Sequence, residues 1–362
     1  MKNNKFERQF DLIRTLVALG ISIAIAAVFI FLISATPLDT LTQFLIGPLL
    51  KSTRMKNVIE TMIPLMFTGV GVSIIYSANQ NNMASEGAFY LGGIGASYMA
   101  VKFALPMGLH PVVCMLVGGM AGALVCFIPA ILYVKKGALP VVSSLMMNYV
   151  AFYVGTYFIN YIIGDSTAGF PASKLFAKSS KLPRFPKSFG IFHVHIGFII
   201  AILVVMAAYI YLYKTKWGYE TRMVGQNASF AKYSGINVMK VVLSCQLIGG
   251  FISGFGGAIE QLGMFNRFQY QQLSGHGFDG IMVAIMARYN PKYVPLACFF
   301  LSYIRIGADV ITRQSDVPVE IISIIQATII ILVCAESFLA TWKHRQVVKN
   351  SGKSLEVKGE RA

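Results

Sequence analysis

Apolar runs long enough to cross a hydrocarbon core of about 30 Å as helices of about 20 residues recur along this chain, and they constrain its fold more than any motif does. The first covers roughly residues 12–35; others cover 58–77, 87–105, 112–134, 138–163, 191–213, 241–263, 293–311 and 317–340. A further run, 278–287, is too short to cross alone. The 362 residues are 56% apolar and only 13% charged, and the mean hydropathy is +0.63, far from the balance of soluble domains. The first run exceeds the apolar core of a signal peptide and ends without a small-x-small cleavage site, so it reads as a retained helix. The expected fold is an all-α polytopic membrane protein of about 10 transmembrane segments, some of them broken or short. Residues 1–345 form one transmembrane domain, and 346–362 form a cytoplasmic tail expected to be disordered.

Charge placement sets the orientation. With ten crossings, the cytoplasmic side receives Lys2, Lys5, Arg8 and Arg14, Lys135 and Lys136, the segment 214–240, Arg288 and Lys292, and the tail from Lys343. That side then holds 19 of the 31 basic residues, so both termini are predicted cytoplasmic, with the protein in a bacterial cytoplasmic (inner) membrane. One loop opposes the bias: residues 164–190 carry Lys174, Lys178, Lys181, Arg184 and Lys187 against Asp165 alone, yet parity puts them outside. Trp217 and Trp342, the only two tryptophans, fall at predicted cytoplasmic interfaces.

Several function classes drop out. The net charge of +16 is scattered over loops without an aromatic-basic cluster, which fits anionic lipid better than nucleic acid. Cys114, Cys126, Cys245, Cys298 and Cys334 lie in apolar runs without paired spacing, so they read as small core residues. His193 and His195 alternate near a span end without a nearby carboxylate or thiol, a weak metal set, so no metal is expected. Gly352-Lys353-Ser354 echoes a phosphate loop, but Val347 stands where that loop needs glycine and no strand precedes it. No nucleophile with base and orienter is visible, so no catalytic residue is assigned and the chain is not expected to be an enzyme.

Two acidic-glycine pairs, Glu86-Gly87 and Asp279-Gly280, open glycine-interrupted segments. An ionised carboxylate at membrane depth costs about 2.5 to 3.5 kcal/mol on insertion scales, so it persists where something compensates for it. Each is expected to cap a half-helix by accepting free backbone N–H groups at the positive dipole end, with substrate contact as the alternative. They introduce the third and eighth segments, five apart, as two five-segment halves of an inverted pseudo-repeat would place them. In the fifth segment Ser144, Asn148 and Gly155 fall near one helical face, with Tyr149, Tyr153 and Tyr157 on an adjacent stripe. Asn148 is read as facing a path and the tyrosines as packing between helices. Candidates for a translocation path are therefore Asn82, Glu86, Ser144, Asn148 and Asp279. Arg305 and Asp309, four apart, are placed to neutralise each other.

The segment 217–240 is predicted to carry a short helix, with Asn227 as N-cap and Gly235 as its stop. Phe230 and Tyr233, three apart, share a face of it. Such a helix suits either a partner's cleft or a bed of lipid headgroups.

The wording of this segment, Gly218, Tyr219, Arg222, Gly225, Asn227, Ala231, Tyr233, Gly235 and Ile236, resembles the coupling region of permease subunits of bacterial ABC importers for simple sugars and nucleosides. The likeness continues through Ser253-Gly254 and Gly257-Ala258, the stretch Gly275 to Ile281, and Asn290-Pro291, and it appears earlier in Asn82-Met83-Ala84-Ser85-Glu86-Gly87. Ala84, Ala88 and Ala287 depart from the usual residues there. The resemblance implies a permease without cofactors of its own, forming a path for nucleosides, with ribose-like sugars as the alternative. Its partners would be a separate ATP-binding subunit that binds ATP and magnesium, a second permease subunit, homologous or identical, and an extracytoplasmic substrate-binding protein. Arg222, Asn227, Phe230, Tyr233 and Gly235 would serve ATPase coupling, and the basic loop 164–190 would dock the binding protein. The nucleoside branch is favoured by the Phe-Asp-Gly stretch at 278–280 and Met-Met-Asn-Tyr at 146–149. An ion-coupled secondary transporter, using Glu86 and Asp279 as ion ligands, is the alternative of another class; it leaves the capped helix unexplained.

Overall fold

The computed structural model describes residues 36–186 and 193–314 continuously, with isolated positions between 21 and 34 and between 318 and 331. The runs at 12–35 and 317–340 are thus touched only at scattered positions. The tail 346–362, the amino-terminal basic residues, Lys187, Cys334, Glu336 and Trp342 lie outside the described residues. Among the described residues the chain is helical, without a strand and with two isolated antiparallel bridges, Gly164 with Ser173 and Arg184 with His195.

Two compact units are distinguished, one of residues 1–47 and 307–362, the other of residues 48–306. In the first, α1 (Pro37–Leu45) is a nine-residue helix opened by proline, whose missing N–H costs nothing at that position. The Ser34 and Thr40 hydroxyls lie 3.0 Å apart beside its start. The sequence reading did not foresee α1, because a helix this short leaves little periodic signal.

The second unit contains α2 (Ser52–Ser77), α3 (Ser85–Lys102), α4 (Leu109–Lys136), α5 (Pro140–Tyr157), α6 (Gly197–Lys214), α7 (Lys216–Gln226), α8 (Ala228–Tyr233), α9 (Val238–Met264), α10 (His276–Met286) and the first part of α11 (Val294–Gln314). A π-helical turn, Phe158–Ile162, extends α5. Among the described residues, six helical stretches are long and apolar enough to cross a membrane: Ser52–Ser77, Leu109–Lys136, Pro140–Ile162, Gly197–Lys214, Val238–Met264 and Pro291–Gln314. Each overlaps an apolar run read from the sequence.

Small residues set the helix contacts. A Cβ on Gly122 would come within 2.6 Å of the Gly254 Cα and 2.5 Å of the Gly250 carbonyl, so α4 and α9 touch backbone to backbone. Helices that associate without a hydrophobic driving force gain from such close approach. α2 is almost wholly buried, whereas most residues of α5 and α6 are exposed or half-buried. The four described cysteines, Cys114, Cys126, Cys245 and Cys298, are free and buried.

The unit has two distinguishable ends. At one, the segment 164–186 is stitched across the helix ends: Ser173 N–H donates to the Phe268 carbonyl, Ala177 N–H to Ala100 and Leu182 N–H to Leu262. Arg184 lies 3.4 Å from Glu60 there, and Arg267 lies 3.5 Å from Asp165. The Thr167 hydroxyl and amide hold the Asp165 pKa below the usual carboxylate value. At the other end are α7 and α8, with Gly225 against the Ser77 carbonyl and the Arg222 guanidinium 4.8 Å from the centre of the Tyr213 ring.

Candidate functional site

Four of the five path candidates gather at the start of α3. The chain leaves α2 at Ser77 and begins α3 only at Ser85, beside the interior of α5, α4 and α9. Asn82 is fully buried; its Oδ1 accepts from the Ala84 amide at 2.7 Å, and its Nδ2 donates to Gln246 Oε1 and, at 3.4 Å, to the Cys126 carbonyl. From α5, the Ser144 hydroxyl accepts the Met83 N–H at 2.9 Å. One turn on, Asn148 Oδ1 accepts the Gly87 N–H at 2.9 Å and its Nδ2 donates to the Met83 carbonyl at 3.0 Å. These neutral side chains satisfy backbone groups that the broken helix leaves orphaned, as burial requires. Asn148, read from sequence as facing a path, is 1% exposed with both ends of its amide engaged. Tyr149, Tyr153 and Tyr157, read as packing, are 58%, 68% and 57% exposed.

Glu86 does something the linear sequence does not display: it caps a helix nearly two hundred residues away. Its Oε1 accepts the Gly275 N–H at 2.7 Å and the Ser274 hydroxyl at 3.2 Å, and its Oε2 accepts the Gly277 N–H at 2.6 Å. All of these donors lie at the N-terminus of α10, where the helix dipole also favours negative charge. The two helix starts touch: a Cβ on Gly277 would collide with the Glu86 backbone, so this position needs glycine. From that meeting point α3 runs toward the 164–186 end, where its Ala100 carbonyl is bonded by Ala177. α10 runs toward the α7–α8 end, where Tyr289 just beyond it stacks on Tyr76 with ring centres 5.5 Å apart.

The fifth candidate, Asp279, sits in the first turn of α10, and its partner is a cation: Arg305 of α11 lies 2.5 Å away. His276 Nδ1 is 3.9 Å from the same carboxylate, while its Nε2 donates to Glu260 Oε1 at 2.9 Å. The Tyr270 hydroxyl donates to Glu260 Oε2 at 2.9 Å, and the His276 ring packs on Phe89 of α3 with centres 5.3 Å apart. Two carboxylates, an imidazole, a guanidinium and a phenol thus form one network around the α10 start. Sequence reasoning paired Arg305 with Asp309, whereas the structure sets it on Asp279; it gave Glu260 no partner and missed Gln246, Tyr270 and His276. A lone polar residue in an apolar run carries no signal of its partner.

The coupling candidates lie apart from this centre, at the α7–α8 end. Thr215 caps α7 through a 3.2 Å bond from the Gly218 N–H, and Asn227 caps α8 through a 2.9 Å bond from the Phe230 N–H. Gly235 has φ +83°, and the Ile236 N–H returns to the Ala231 carbonyl at 3.0 Å, which closes the helix as the sequence predicted. Ala231 is buried against Val224, Val241 and Val242, whereas Phe230 and Tyr233 are 55% and 92% exposed. Arg222, on α7, leans on Tyr213 and faces inward rather than joining them.

Residues 54–334 match the family described as branched-chain amino acid transport system, permease component. The chain belongs to this family. Its relatives carry different cargoes in their names. The guanosine ABC transporter permease protein NupP of Bacillus subtilis is 29% identical over 76% of this chain and 80% of its own length. The nucleoside ABC transporter permease protein NupB of Lactococcus lactis is 24% identical over 96% of this chain and 97% of its own. A glucose ABC transporter permease protein of Haloferax volcanii is 28% identical over 89% of this chain and 87% of its own. The permease is a multi-pass membrane protein, and its broken helices and exposed capped helix lie within the matched region.

Proposed function

We propose that this chain is the transmembrane subunit of an ATP-driven importer of nucleosides, sited in the cytoplasmic membrane with both termini inside. The observation that carries the proposal is α8: a short helix, capped at both ends and rooted through Ala231, holds Phe230 and Tyr233 outward in a chain of permease lineage. A rigid peg of this kind transmits motion better than an interfacial helix needs to. On this reading α8 sits in a groove of a separate ATP-binding subunit, which holds ATP and its magnesium. Closure of that subunit on ATP moves α8 and, through α7 and α9, tilts the helices bordering the path. A second permease subunit completes the path, and a binding protein docks on the segment 164–190, whose Lys174, Lys178 and Lys181 are exposed.

The six long apolar helices, with α3, α10 and the two runs at 12–35 and 317–340, make ten segments in two inverted halves of five. The opposed departure of α3 and α10 from one meeting point supports that repeat. Nucleosides are favoured over sugars because relatives named for guanosine or nucleosides outnumber those named for glucose.

The test is uptake of labelled guanosine, uridine and ribose by proteoliposomes holding the chain with its ATP-binding partner. Saturable nucleoside uptake that requires ATP is expected, with Asn227→Ala lowering uptake per ATP hydrolysed. Uptake driven by an ion gradient without the ATPase would overturn the importer reading, and ribose uptake without nucleoside uptake would overturn the cargo.

A further inference from the structure

The lateral faces of this permease are not alike. On α4 the exposed residues include Leu116, Met120, Leu124 and Ile128, and on α6 they include Ile199, Leu203, Met206 and Ile210. Such faces suit acyl chains. On α5 and its π-helical extension, Tyr149, Tyr153, Tyr157 and Tyr161 follow one another at fourfold spacing, and all four are more than half exposed. Residues four apart share a helix face, so the phenols form one row about 18 Å long. Tyrosine favours the membrane interface, where the ring is embedded and the hydroxyl is wet. A row longer than half of a core of about 30 Å cannot lie within one interface. Its hydroxyls therefore need water or polar partners at depth.

Three further observations point to a solute. The opposite face of α5 holds Ser144 and Asn148, which secure the start of α3, and Gly155, which lies against Tyr90 and Ile94 of α3. The row is thereby fixed to the broken helix. Its upper end runs into a π-helical turn, Phe158–Ile162, a distortion frequent at functional sites. The rings are already in contact with aromatic neighbours, Tyr157 tilted on Tyr161 at 5.1 Å and Tyr153 edge to face with Phe152 at 5.5 Å, as in a prepared aromatic surface.

We propose that this phenol row is the wall of the water-filled path and determines specificity by stacking the planar base of the transported nucleoside. The inference rests on the importer reading above and adds to it the residues that meet the cargo. Every base offers a π-face, so a phenol ladder accepts purines and pyrimidines alike through its rings; a sugar without a base gains little from it.

The test uses the full chain with its ATPase in proteoliposomes, with native cysteines replaced. Tyr149→Cys, Tyr153→Cys and Tyr157→Cys are compared with Leu124→Cys and Leu203→Cys for reaction with a charged, water-soluble methanethiosulfonate. Expected is rapid modification at the tyrosine positions and none at the leucines, slowed at least fivefold by millimolar guanosine but not by ribose. In uptake, Tyr153→Phe keeps KM for guanosine, whereas Tyr153→Leu raises it roughly tenfold, in keeping with the typical worth of one base-aromatic stack. Failure of all three cysteines to react would mean that the row faces lipid, and it overturns the inference. So would loss of the second permease on gel filtration with unchanged KM, which would mark a subunit interface. If wild-type complex takes up no guanosine with ATP, the cargo reading fails; if it does and the Tyr153 variants behave as wild type, only the wall fails.

Discussion

α3 and α10 both begin inside the protein, but they are held in opposite chemical ways. The start of α3 is tied by neutral groups, Asn82, Ser144 and Asn148, whose amides and hydroxyl pair mainly with backbone donors and acceptors. The start of α10 is tied by a carboxylate, Glu86, and ringed by Glu260, His276, Asp279 and Arg305. Neutral caps lose little on burial. Charged ones bind their helix dipole more strongly but suffer more when a partner is lost. The molecule thus concentrates its risk at one of its two broken helices, and the coupling of the two through Glu86 makes the charged one hold both together.

The largest expected effect is at the charged start. Glu86→Ala leaves the buried N–H of Gly277, the half-buried N–H of Gly275 and the Ser274 hydroxyl without their acceptor, a loss of about 3 kcal/mol or more. It should appear as failure to recover folded complex after solubilisation, and recovery at wild-type level would break the comparison. Next is Arg305→Ala, which leaves Asp279 buried without its guanidinium; about 2 kcal/mol is expected, since Arg305 is itself partly exposed. Adding Asp279→Asn should restore about half, measured as a double-mutant cycle on the melting temperature, and strict additivity would mean that the pair is not coupled. At the neutral start, Asn148→Ala frees one donor and one acceptor, for about 1 to 2 kcal/mol, and should lower the melting temperature less than Glu86→Ala does.

The smallest effect concerns a buried group with no tie at all. His195 is fully buried, wedged between Gly197 and Gly263, with neither ring nitrogen bonded among the described residues. Burial, and secondarily the Arg184 charge, push its pKa down to about 4. The unfolded chain then binds the extra proton between about pH 6.5 and 4, so stability falls as pH falls through that window, by about 1 kcal/mol for the first unit. A melting-temperature profile from pH 7 to 5.5 should show this slope, and His195→Leu should flatten it.

The helices were legible because apolar runs declare themselves locally. Asn227 and Gly235 were legible for the same reason: a cap and its stop are set by residues within one turn. The acidic-glycine pairs announced two interrupted helices, and the structure places both. What the sequence withheld is partnership. Glu86 lies in the first turn of α3 but caps the start of α10, and Asp279 lies in the first turn of α10 but answers to Arg305. Such pairings are decided by which helices the glycine contacts bring together, a property of packing rather than of spacing. Exposure was withheld too: fourfold tyrosines read alike whether buried or exposed, and α5 turned its asparagine in and its phenols out. α1 escaped because nine residues carry too little periodicity.

The central claim is that Glu86 binds the two broken helices together rather than the cargo. Guanosine-dependent uptake by Glu86→Gln complex in proteoliposomes tests it most directly, with folded complex quantified in the same sample. The account predicts a maximal rate that falls in step with the amount of folded complex and a KM within about twofold of wild type. A KM raised tenfold or more at an unchanged amount of folded complex would contradict it.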